Sequence, residues 1–156
     1  MKSKIYFAVA LSLATLAWRM PVAQASFSQV LQEVKAHAQQ ADYDAEILDS
    51  YSSSGLSWES HSIRLNEIRA HVNDLFHDYS RLESMANNAT PRQRETINRL
   101  EPIFRKMADS LIKTIQNLNA NQKEVNLPSF RTRIHSDYLN INQVYEELCK
   151  CTRDQG

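Results

Sequence analysis

Residues 58–86 read WESHSIRLNEIRAHVNDLFHDYSRLESMA. Trp58, His61, Leu65, Ile68, Val72, Leu75, Tyr79, Leu82 and Ala86 recur at steps of three and four, and only His61 among them is not apolar. Such steps keep one stripe of side chains on one face of a helix with 3.6 residues per turn. The stretch therefore predicts an amphipathic helix over 57–87. Ser52-Ser53-Ser54-Gly55 interrupts the pattern just before it, and Ser57 stands where an N-cap belongs.

The same spacing continues on both sides. Upstream, Phe27, Leu31, Val34, Ala38, Ala41, Ala45 and Leu48 form a stripe, which predicts a helix over 26–51. Its small Ala38, Ala41 and Ala45 favour close helix approach over a ligand cavity. Downstream, Thr90-Pro91-Arg92-Gln93 has the pattern of a capping box with proline at the first helical position. The helix it opens, over 91–119, has Ile97, Leu100, Phe104, Met107, Leu111, Thr114 and Leu118 as its stripe. Pro102 lies off that stripe and predicts a kink near 98–102 and not a chain reversal. Asn119–Asn126 reads as a polar loop. A fourth helix over 127–150 follows, with Phe130, Ile134, Tyr138, Ile141, Tyr145 and Leu148 as its stripe, and 151–156 reads as a frayed tail.

Four amphipathic helices joined by short loops predict an all-α, up-down-up-down four-helix bundle over 26–150. A stripe period near 3.5 favours shallow, coiled-coil-like crossing. Composition agrees: 156 residues contain only two Gly and four Pro, too few for the turns of a strand-rich fold, and 42% of them are hydrophobic. No repeat, linker or second domain is visible.

The first 25 residues read differently. Lys2 and Lys4 precede a mostly apolar run from Ile5 to Trp18, and Ala23-Gln24-Ala25 is a small-x-small cleavage signature. A cleaved signal peptide over 1–25 is the expectation, with a periplasmic or secreted product. The run is shorter than the roughly 20 apolar residues of a membrane span, and Arg19 ends it. No membrane span is expected after cleavage. Lys2, Lys4 and Arg19 supply three of the 18 basic residues, against 18 acidic ones in the chain, so the cleaved product is mildly acidic. That balance argues against nucleic acid as a partner.

Several residues are candidates for chemistry. His61 is the one polar position on the second stripe. It reads either as a metal or haem ligand facing the core or as a structural histidine bonding a backbone carbonyl near the bundle end. Glu67 with His71, and Asp74 with His77, have helical spacing for shared metal ligation or for plain surface charge pairing. A di-metal site would need inward carboxylates from other helices, and neither the third nor the first stripe offers one. Cys149-Lys150-Cys151 reads as a soft-metal chelate, a strained local or intermolecular disulfide, or two thiols on the tail. The metal candidates are thus His61, Glu67, His71, Cys149 and Cys151. No catalytic residue and no required cofactor is identified. A phosphate loop and a nucleophile elbow are both missing from the sequence.

Two resemblances accompany these readings. Trp58-Glu59-Ser60-His61 with Leu65-Asn66-Glu67-Ile68-Arg69-Ala70-His71-Val72-Asn73 resembles a block in small secreted helical-bundle proteins of bacteria. That resemblance implies the fold and export but no activity. Thr90-Pro91-Arg92-Gln93-Arg94 is similar to the L-T-x-x-Q motif of periplasmic stress chaperones, with Ala89 in place of the leading leucine and no second copy of the motif. This second resemblance implies a small, exported, often dimeric helical protein that binds unfolding clients or metal ions.

The functional expectation is an exported, non-catalytic bundle with a binding or structural role. A protein or small molecule is its partner, and a homodimer is one option. A periplasmic metal- or haem-binding bundle and a chaperone-like client binder are the alternatives. Trp58, opening a helix beside a Ser/Gly loop, marks the bundle end as the first place to look for a partner surface.

Overall fold

The computed structural model describes residues 25–154. Nearly all of the expected signal peptide lies outside them. The described chain is an all-α four-helix bundle: α1 Phe27–Tyr51, α2 Trp58–Ser84, α3 Pro91–Ala120 and α4 Pro128–Asp154.

Side-chain contacts fix the directions. His37 and Asp44 of α1 meet Asp78 and His71 of α2 in reverse order. Arg99 and Ser110 of α3 meet Glu147 and Asp137 of α4. Asp42 and Asp49 of α1 meet Asn142 and His135 of α4. Phe76 and Tyr79 of α2 reach Phe104 and Ile97 of α3. Every neighbouring pair is therefore antiparallel, and the order α1-α2-α3-α4 closes on itself as an up-down-up-down bundle. Packing is densest where α1 lies between α2 and α4, and sparsest between α2 and α3. The buried alanines Ala38 and Ala41 sit on that closely packed α1.

The ends are set by local chemistry. Ser26 and Thr90 each form a complete capping box, with Gln29 and Gln93 returning the bond to the cap N–H. Each box satisfies two N–H groups that a helix start would otherwise leave unpaired. Ser57 caps α2 through the Ser60 N–H. Gly55 has φ 70°, a left-handed conformation that a side chain would strain, and it lets the α1–α2 turn close. α3 runs through Pro102 without a break, because that residue and Asn98, whose carbonyl loses its donor, both lie on the exposed side.

The core is built from the expected stripes, of which Trp58, Ala86, Tyr138 and Tyr145 are only partly buried, together with Val30 and Val144, one step beside them. Three boundaries depart from the sequence reading. α2 ends at Ser84, before a 3-10 turn at Ala86–Asn88. The expected loop after α3 contains a 3-10 turn, Gln122–Asn126, that buries Val125. The expected frayed tail from 151 is instead helix through Asp154, because Cys151 extends the apolar stripe one turn past Leu148 and is buried. Among the described residues no helix is long and apolar enough to cross a membrane.

Candidate functional site

The sequence-derived metal candidates occupy separate surroundings. His61, in the first turn of α2, is fully buried with its ring edge-on to Phe130 at 5.1 Å. Among the described residues its Nδ1 finds no hydrogen-bond partner, so it bonds no backbone carbonyl there through that atom either. Burial lowers its pKa, because a charged imidazole there would lose its hydration.

Glu67 pairs with Arg64 on the surface at 2.9 Å. His71 instead turns toward α1, with Nε2 3.2 Å from Asp44 Oδ2. Helical spacing put Glu67 and His71 on related faces, but each has a partner elsewhere. Likewise His77 contacts Asp78 rather than Asp74.

Both cysteines are free. Two residues along a helix turn a side chain by about 200°, so Cys149 and Cys151 do not face each other. Cys149 is half-buried beside Tyr145. Burial raises the Cys151 thiol above its ordinary pKa against the opposing pull of Arg99, and a protonated, buried thiol is unreactive. Among the described residues no three His, Cys, Asp or Glu side chains converge as metal ligands.

A concave surface forms at the α1–α2 end of the bundle. α1 ends at Tyr51, the Ser52 N–H returns to the Asp49 carbonyl, and the turn carries Leu56 outward before Ser57 starts α2. One turn further on, Ile63 sits off the buried stripe, where amphipathic patterning calls for a polar residue. Tyr51, Leu56 and Ile63 are 54%, 37% and 60% exposed. They surround a cleft of about 490 Å³ floored by buried Leu48, with Ser60, Arg64 and Glu67 on its rim. Trp58, the first residue of α2, is partly buried against the core and does not line the cleft. Arg64 and Glu67 give the rim both signs of charge. Glu59 nearby is held below the usual carboxylate range by the Ser57 hydroxyl and a backbone N–H of the helix start.

A second, polar cleft of about 540 Å³ lies between α3 and α4, lined by Lys106, Asp109, Ser110, Lys113, Ser136 and Asn140. Beneath it the Ser110 hydroxyl donates to Asp137 Oδ1 at 2.5 Å. Asp137 is buried, and its Oδ2 has no partner among the described residues. Burial raises its pKa, outweighing the hydroxyls of Ser110 and Thr114.

The sequence reading found no acid on the first stripe, yet Asp44 on α1 is buried, as are Asp78 and Asp137. Asp44 adjoins Ala45, and Asp137 lies between Ile134 and Ile141, where Tyr138 fits the same period. Helical spacing alone does not choose between such neighbours. Scans against family models and searches of curated proteins and solved structures returned no match for this chain.

Proposed function

We propose that this chain is an exported, non-catalytic helical bundle that works by binding a protein partner through the α1–α2 end. The observation that carries the reading is the grouping of Tyr51, Leu56 and Ile63 around a cleft floored by Leu48. Exposed apolar side chains scattered singly are normal on a surface, but their grouping around a concavity marks an interaction site. The cleft combines apolar Leu48, Leu56 and Ile63 with charges of both signs from Arg64 and Glu67, which suits an apolar side chain on a polar protein surface. The lysine-led apolar run and small-x-small end of residues 1–25 support export.

Photocrosslinking tests the reading. Tyr51 and Tyr43 are almost equally exposed, at 54% and 58%, but only Tyr51 lines the cleft. A benzophenone amino acid is placed at each position in turn, in a bacterium that exports the protein. The expected result is one discrete adduct from position 51 that Ile63→Lys abolishes, and none from position 43. Equal labelling at both positions, or an adduct indifferent to Ile63→Lys, would overturn the reading.

A further inference from the structure

The seam where the helices pack most thinly is also where aromatic rings gather. α2 and α3 meet sparsely, and a cleft of about 290 Å³ opens between them. Phe76, Tyr79 and Glu83 line it from α2, and Glu101, Phe104 and Arg105 line it from α3. The steps of three and four along each helix put each set on one face. This cleft shares no lining residue with the one at the α1–α2 end.

The rings do not stack on one another. Phe76 and Tyr79 are inclined to Phe104 by 65° and 70°, with ring centres 5.9 and 4.8 Å apart. Stacked rings would hide their faces in each other, whereas inclined rings leave faces turned in different directions. Phe104 and Tyr79 form a buried floor, and Phe76 is only partly buried. The Tyr79 hydroxyl is already used, donating to the Ile97 carbonyl at 3.2 Å. The ring is therefore held in place without help from a ligand.

The charges at the rim do not cancel. Two carboxylates, Glu83 from α2 and Glu101 from α3, both lie near the Tyr79 phenol. One cation, Arg105, accompanies them. Its Nε and Nη2 both donate to Glu101 Oε1, at 3.0 and 2.8 Å. Among the described residues Glu83 is exposed and forms no ion pair. The cleft thus joins an aromatic floor to a surplus of negative charge. An anion or a neutral apolar ligand would gain from one of these features and not from the other.

We propose that the α2–α3 cleft binds a small, free quaternary ammonium compound, with Phe76, Tyr79 and Phe104 beneath it and Glu83 beside it. The negative face of an aromatic ring attracts a cation, and this is the recurrent mode of recognising choline-like groups. The methyl groups of such a cation pack on the rings as apolar groups do, while its charge faces the unpaired carboxylate. The inference does not rest on the binding role of the α1–α2 end.

Titration of the folded, exported chain with choline, followed through its aromatic NMR resonances, tests the proposal. Dimethylbutanol, in which carbon replaces the charged nitrogen, is the neutral comparison. Saturable shifts are expected at Phe76 and Tyr79, with choline binding roughly fivefold or more tighter than dimethylbutanol, the scale of one cation–π contact. Glu83→Gln should weaken choline binding by roughly three- to fivefold and leave dimethylbutanol unchanged. Glu146→Gln, at an exposed position of α4 near Asp42, should change neither. Equal affinity for the two compounds, a choline affinity indifferent to Glu83→Gln, or no saturable shift would overturn the proposal. Capture of the chain by phosphatidylcholine vesicles without binding of free choline would also overturn it, by making a membrane headgroup the ligand.

Discussion

α2 presents two different seams to its neighbours. Toward α1 it offers His71, Asp78 and Arg81, each engaged in an ion-pair contact across or beside the interface. Toward α3 it offers Phe76 and Tyr79, which meet Phe104 edge-on at 5.9 and 4.8 Å. Tyr79 also donates its hydroxyl to the Ile97 carbonyl at 3.2 Å. Burial, with Glu83 and Glu101 nearby, raises the Tyr79 phenol well above its ordinary pKa, so it stays neutral. One helix is thus held by charge on one side and by aromatic packing on the other. The first kind of contact changes with pH and salt, and the second does not.

The largest effect comes from breaking the aromatic side. Phe104 is fully buried where α2 and α3 otherwise meet sparsely. Phe104→Ala should cost about 3–5 kcal/mol, from lost transfer energy and the cavity left behind. The cost, read by urea unfolding, should be the same at about pH 6 and about pH 8. A cost that changes between them by more than about 1 kcal/mol would erase the distinction between the seams.

A smaller effect sharpens it. His61 is buried with its pKa lowered, so the unfolded chain takes up a proton before the folded one does. Stability is therefore lost as pH falls through the unfolded value near 6.5 toward the folded one. His61→Leu should remove that loss and stabilise the protein at about pH 5 relative to pH 8. Thermal unfolding at the two values checks it. An unchanged pH slope in the variant would mean that water reaches the ring.

Much of this architecture was legible in the chain because a helix declares its buried face through spacing. The stripes, the Ser57 cap and the Thr90 capping box are local signals, and the structure has them, except that α4 buries Asp137, Asn140 and Val144 more deeply than the expected Tyr138 and Tyr145. What one helix cannot declare is its neighbour. His71 and His77 were read against Glu67 and Asp74 of their own helix, whereas His71 takes Asp44 from α1. One signal was present and passed over: the same seven-residue step from His to Asp at 37–44 and at 71–78. It acquires meaning only once α1 and α2 are known to be antiparallel and in register. Cys151 was weighed as a reactive thiol and therefore assigned to a tail, although a buried cysteine behaves as a small hydrophobe and here extends the stripe. The tip cleft was half legible. Trp58 pointed to this end of the bundle, but the residues that line the cleft include Tyr51, Leu56 and Ile63 and not Trp58. None of those three belongs to a stripe, so periodicity gave no reason to select them.

The most direct test of the contrast between the seams is amide hydrogen exchange, resolved by residue, on the unmodified protein at about 0.05 M and about 1 M salt. After correction for intrinsic rates, α1 and α3 serve as internal references for each other in one sample. Protection of α1 relative to α3 should fall as salt rises, because screening weakens the charged contacts that Arg81 makes with Glu33 and Asp78 along the α1 seam. A ratio that stays constant would show that α1 is held by its apolar stripe alone and that the charged contacts add nothing measurable.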